Sequence, residues 1–255
     1  MVECDARLRK AERIDPSTSF APGYLSSVLE SAGRIEESFQ LAQVSLANDP
    51  YKPAKLARAI RLDEAAGQSS NAEQIYREGT RLWPGSPRMR SGRLVGMAER
   101  GNYDGIARFA DPGSDSAMLD ASALTELAAA RRDHQLPRAR RACDVRDLKP
   151  FTQSVCMAVL ADLGDLDRSF AIAAALYPAW LAPDGTDADQ LWLEHPDGYA
   201  TGVLAGPAGK SMRTDPRFLT LARKLGLLAY WRTDGLPDFC RGSQPESICK
   251  QLRRR

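Results

Sequence analysis

Few side chains in this chain have the types and spacing that chemistry needs. Gly206-Pro207-Ala208-Gly209-Lys210-Ser211 carries the end of a phosphate-binding loop. The full pattern requires a glycine five residues before Gly209, and Leu204 stands there. It also requires a preceding strand and a long helix whose N-terminal amides cradle the phosphates. The flanking residues suggest neither, so the segment reads as a Gly-rich connector. His134 and His195 have no Cys or His neighbour at metal-ligand spacing, and no nucleophile elbow accompanies them. They read as a turn and a loop histidine. An enzyme is the alternative reading, with its site in the loop 178–211. Asp184, Asp187, Asp189, Glu194 and His195 would supply its acid, base or metal-binding groups. The main reading assigns no catalytic, cofactor-binding or metal-binding residue.

The five cysteines form no CxxC pair and no zinc spacing. Cys240 and Cys249 lie nine residues apart and could close a loop by a disulfide in an oxidising compartment; in the cytosol they would stay reduced. Cys156 falls on an apolar helix face and reads as core. Cys143 is undecided, and Cys4 is left over.

The elements that position these residues are expected to be helical. The 255 residues are 43% hydrophobic, enough for a core, and β-branched residues are sparse beside Ala, Leu, Arg and Glu. Charge is balanced, 35 Lys+Arg against 33 Asp+Glu, so composition argues for neither nucleic-acid nor membrane binding. No apolar run approaches the roughly 20 residues of a membrane span; the longest is 171–181.

An internal period organises the first half. Pro16, Pro50 and Pro84 are 34 residues apart, and so are Gly33, Gly67 and Gly101. Between them, apolar residues recur at helical spacing, as in Leu25, Val28, Leu29 and Ala32, then Ile35, Phe39, Ala42 and Leu46. Glycine permits the tight turn between antiparallel helices, and proline stops the second helix.

A 34-residue helical hairpin with these markers resembles the tetratricopeptide repeat. Ser38 and Ala72 occupy the small-residue position of the second helix; Ile106 departs from it, and Pro22 and Leu56 replace the aromatic of the first helix. The resemblance implies an all-α, tetratricopeptide-like α-solenoid of antiparallel hairpins over 1–112. Divergent hairpins are expected over 113–183, an irregular Gly/Pro/Asp-rich loop over 184–214 and a helical cap over 215–255. Residues 3–14 read as the second helix of an earlier repeat with an unmatched apolar face. Either the chain is the C-terminal part of a longer protein, or Met1 is the true start and this helix is a cap.

The tail Asp215-Pro216-Arg217-Phe218, Leu225-Gly226-Leu227, Tyr230-Trp231 and Pro237-Asp238-Phe239-Cys240 carries a second likeness. It resembles the C-terminal end of tetratricopeptide modules in bacterial winged-helix transcription regulators and class III adenylate cyclases. The implied role is a sensory or protein-interaction module without catalysis. Its partner would be a protein or peptide in the concave groove, with no nucleic acid, cofactor or membrane span. Aligning the repeats places Phe20, Ser27, Glu30, Ala54, Arg61, Glu64, Arg88, Val95 and Glu99 on that groove. The expected location is the cytoplasm as the chain is written, or the periplasm if an upstream transmembrane segment belongs to it.

Overall fold

Helix boundaries follow the proline and glycine placement. Pro53, Pro87 and Pro150 open their helices, where a missing N–H leaves no bond unmade. Gly33, Gly67 and Gly101 terminate helices with left-handed backbone (φ 73°, 81° and 80°), a conformation side chains disfavour. His134 takes the same role at the next turn, with φ 52°. A computed structural model describes residues 1–18, 20–111, 113, 119–177, 199–241 and 245–252. Among these residues the protein is all-α, with sixteen α-helices and no strand.

Helix α1 (Val2–Ile14) precedes five hairpins. These are α2 (Phe20–Ser31) with α3 (Ile35–Asn48), α4 (Pro53–Ala66) with α5 (Ser69–Leu82), and α6 (Pro87–Arg100) with α7 (Tyr103–Phe109). They continue with α8 (Ala121–Arg132) and α9 (Leu136–Cys143), then α10 (Pro150–Asp162) and α11 (Leu166–Leu176). The remaining helices are short: α12 (Tyr199–Ala205), α13 (Lys210–Arg213), α14 (Arg217–Lys224), α15 (Leu227–Thr233) and α16 (Cys249–Leu252).

Small residues set the helix crossings. Ser38 and Ala72 are fully buried, and the Ser38 hydroxyl donates to the Ser26 carbonyl at 2.6 Å. Gly92 and Gly96, one turn apart on α6, lie directly on the backbone carbonyls of Ala57 and Arg61 of α4. A Cβ at either position has no room. One apolar core runs from Met1 to Leu252 through both halves of the chain. A smaller cluster joins Leu56, Ile60 and Ala72 of the second hairpin to Met89 of α6.

The C-terminal segment folds back onto the first repeat. Trp231 Nε1 donates to the Ala32 carbonyl at 2.8 Å, Arg34 Nη1 to the Asp234 carbonyl at 2.6 Å, and the Asp238 amide to the Gly33 carbonyl at 2.9 Å. The face of α1 expected to lack a partner is therefore covered. It packs on α2 and α15, and the Tyr230 hydroxyl donates to the buried Asp5 carboxylate at 2.6 Å. Nor is the 199–213 part of the expected 184–214 loop irregular. It forms α12, a 3-10 turn at 207–209 and α13, with Thr201, Val203, Leu204, Ala205 and Met212 buried. The glycines among the residues that suggested a loop, Gly202, Gly206 and Gly209, let this segment approach neighbouring backbone and the Glu99 carboxylate closely. Cys156 is buried as expected of core, yet it is bonded to Cys143, joining α9 to α10 (Cα–Cα 5.8 Å). Cys240 and Cys249 are also bonded, and Cys4 is free and buried.

Candidate functional site

The first helices of the hairpins, α2, α4 and α6, share one face, and the residues expected to line a groove divide into two groups on it. Ser27, Glu30, Arg61, Glu64, Val95 and Glu99 come from the C-terminal halves of these helices and are all buried. This corrects the expectation that they face a partner. Part of this face is covered by α12 and the 207–209 turn, which pack on α2 and α6, while Arg61 and Glu64 of α4 each border a cleft. Gly202 rests on the Glu99 carboxylate and Gly206 on the Glu99 backbone carbonyl.

The buried group is a network of charges. Arg61 pairs with Glu30. Glu64 accepts from Arg93 Nε at 3.1 Å and from the Ser69 hydroxyl at 2.8 Å, and Arg93 also pairs with Glu73. Glu99 is 1% exposed and Glu30 2% exposed on the same face. Burial pushes the Glu99 carboxyl well above the usual carboxylate range. The neighbouring Glu30 charge adds to this, and Arg61 opposes it. Glu30 Oε1, Glu99 Oε2 and Ser27 Oγ have no hydrogen-bond partner among the described residues.

The second group remains open. Phe20 is 61% exposed and its ring lies 4.3 Å from that of Tyr24. The Arg58 guanidinium lies over Tyr24 at 6.0 Å. Next to it a small cleft of about 60 Å³ is lined by Ala54, Ala57, Arg58, Arg61, Arg88, Ser91 and Gly92. Arg88 is exposed and makes no ion pair among the described residues. Phe20, Ala54 and Arg88 thus share the accessible end of the face, and the largely buried Arg61 borders its cleft.

A larger cavity, about 690 Å³, opens between the turns of the first two hairpins and the C-terminal segment. Its apolar wall includes Ile35, Phe39 and Phe239. Three of its polar side chains, Arg213, Asp238 and Glu246, are engaged within the fold. Arg213 donates to the Leu204 and Gly206 carbonyls at 2.5 and 2.8 Å and pairs with both oxygens of Glu246. Asp238 accepts from the Glu36 amide at 3.1 Å, capping α3. The phosphate-loop likeness fails here too, because the Gly206 and Gly209 amides donate to the Gly202 and Gly206 carbonyls. Ser211 donates to Asp162 at 2.8 Å.

Among the described residues, no three His, Cys, Asp or Glu side chains form a metal-binding group, and no helix is long and apolar enough to cross a membrane. Asp184, Asp187, Asp189, Glu194 and His195 lie outside the described residues. Sequence reasoning missed Asp5, Tyr230 and the glycines at 92, 96 and 202. The four-residue spacing of Gly92 and Gly96 was the visible signal of close helix approach. Comparison with protein-family models, curated proteins and solved structures finds no match.

Proposed function

We propose that the chain is a non-catalytic interaction module, a tetratricopeptide-like solenoid serving a bacterial sensory, signalling or transcription-regulating protein. Its partner is a protein or peptide that meets the open end of the inner-helix face. One observation carries this reading: Phe20 and Arg88, an apolar ring and a cation with no ion pair among the described residues, stand exposed beside Tyr24 and Arg58. Aromatic and arginine side chains supply most of the binding energy in protein interfaces. A peptide offering an apolar side chain and a carboxylate suits that pair. The two disulfides support an oxidising compartment, which favours the periplasmic location over the cytoplasmic one.

The test is a pull-down from the source cell with wild type and with the double variant Phe20→Ala, Arg88→Glu. Both positions are exposed, so the melting temperature should not change. A partner held by the wild type should be lost from the variant. Equal retention would remove this face as the binding site. Arg61→Glu is unsuitable, because it would break the buried Glu30 pair.

A further inference from the structure

The cavity of about 690 Å³ between the first hairpin turns and the C-terminal segment holds two sets of side chains that the fold itself leaves unused. The first set is apolar. Ile35 and Phe39 of α3 line the cavity half-buried, yet neither belongs to either apolar core. Residues four apart share a helix face, so the two form one apolar strip. Phe239 adds a ring held in place by Trp231 at its edge and by the Arg213 guanidinium at 4.3 Å.

The second set is charged. Glu36, Lys210, Arg213, Asp238 and Glu246 line the cavity. Arg213 and Glu246 neutralise each other through two bonds of 2.7 and 2.8 Å. Asp238 accepts from the Glu36 amide at 3.1 Å and lies 3.8 Å from Arg241. Glu36 and Lys210 remain. Both are exposed, and neither side chain makes an ion pair or a hydrogen bond among the described residues. One carboxylate and one ammonium beside an apolar strip complement a zwitterion with an apolar body.

We propose that this cavity binds a small apolar zwitterion of the amino-acid type: a free amino acid, or a peptide of two or three residues with unblocked termini. Glu36 takes its ammonium and Lys210 its carboxylate, while Ile35, Phe39 and Phe239 take its apolar side chains. Apolar contact supplies affinity and the two charges fix orientation. The volume sets the size class. Small-ligand sites span about 300–1,000 Å³. Two turns of α-helix, about 10 Å across and 11 Å long, already exceed the 690 Å³ on offer. No residue of this cavity lines the cleft at the open end of the inner-helix face, so the two sites are separate. A ligand here touches α3, α13 and the 238–246 segment together, and so stabilises the closure of the C-terminal segment on the first repeat.

Isothermal titration of the full, oxidised chain with leucine, dileucine and trileucine tests this. At least one of the three should bind one to one. For that ligand, N-acetylation and C-amidation should each weaken binding roughly tenfold, the low end for a hydrogen bond to a charged group. In Glu36→Gln the acetylation penalty should vanish and the amidation penalty stay; Lys210→Met should show the reverse. Both residues are exposed, so neither change should unfold the chain. Phe39→Ala should weaken all forms alike. The Phe20→Ala, Arg88→Glu variant should bind as the wild type does. No binding by any of the three, an unchanged penalty in either charge variant, or loss of binding in Phe20→Ala, Arg88→Glu would overturn the proposal.

Discussion

Replacing Gly96 with alanine sets two effects of opposite sign against each other. In an isolated or exposed helix, Gly→Ala stabilises by about 0.5–1 kcal/mol through backbone entropy. Here the added methyl would lie inside the contact distance of the Arg61 carbonyl and 2.7 Å from Glu64 Cβ. Ordinary carbon contacts need about 3.5–4.0 Å, so α6 must move off α4 by about 1 Å. A gap of 0.5–1 Å already forfeits a quarter to a half of each dispersion contact, and overpacking typically costs about 1–3 kcal/mol. The obstructing atoms are backbone or close to it and cannot rotate away, which places this site toward the upper end. The net expectation is destabilisation by about 1–2 kcal/mol, a fall in melting temperature of roughly 2–8 °C for a chain of this size. Thermal unfolding followed by circular dichroism reads it directly. Gly92→Ala strains the same crossing against the Ala57 carbonyl, so the double variant should cost less than the sum of the singles. A raised melting temperature in Gly96→Ala would refute the close-approach argument and leave helix propensity in control.

Two further outcomes concern the C-terminal closure. Tyr230→Phe removes the hydroxyl that donates to Asp5 while leaving Arg9 in place, so stability should fall by about 1.5–3 kcal/mol, the usual loss for a hydrogen bond to a charged group. Guanidinium unfolding with an unchanged slope would measure it, and a loss under 0.5 kcal/mol would show that the bond does not hold α1 to α15. Loop entropy assigns the Cys240–Cys249 bridge about 2.6 kcal/mol. Reductant should therefore lower the unfolding midpoint of the wild type and shift Cys240→Ser, Cys249→Ser less; identical shifts would place the effect in Cys143–Cys156 alone.

The hairpins are legible in the sequence because their signals are local. Proline fixes φ and glycine admits the left-handed turn wherever they stand, so Gly33, Gly67 and Gly101 mark turns without knowledge of the rest of the chain. The inner-helix positions of Glu30, Arg61 and Glu99 are legible for the same reason, from their place within the repeat. Their burial is not, because the cover comes from residues more than 100 positions later in the chain. Gly202, Gly206 and Gly209 carry the same composition whether they form a mobile connector or a tight packing surface. Only the carbonyls and carboxylate they meet tell the two apart. The Cys143–Cys156 bond was hidden because spacing along the chain does not give the distance between two helices, here 5.8 Å between Cα atoms.

The bonds joining residues 32–34 to residues 231–238 also govern the order of assembly. Repeat arrays ordinarily stabilise each unit through its immediate neighbours, so folding can start anywhere and spread. In this chain the first repeat shares its core with the last segment, at separations near 200 residues. During synthesis α1 and α2 emerge early and wait, with part of their apolar surface uncovered, until α15 leaves the ribosome. Ring closure of that span is slow relative to hairpin formation. The waiting intermediate, rather than the finished fold, is where this chain is most exposed to aggregation and to chaperone capture.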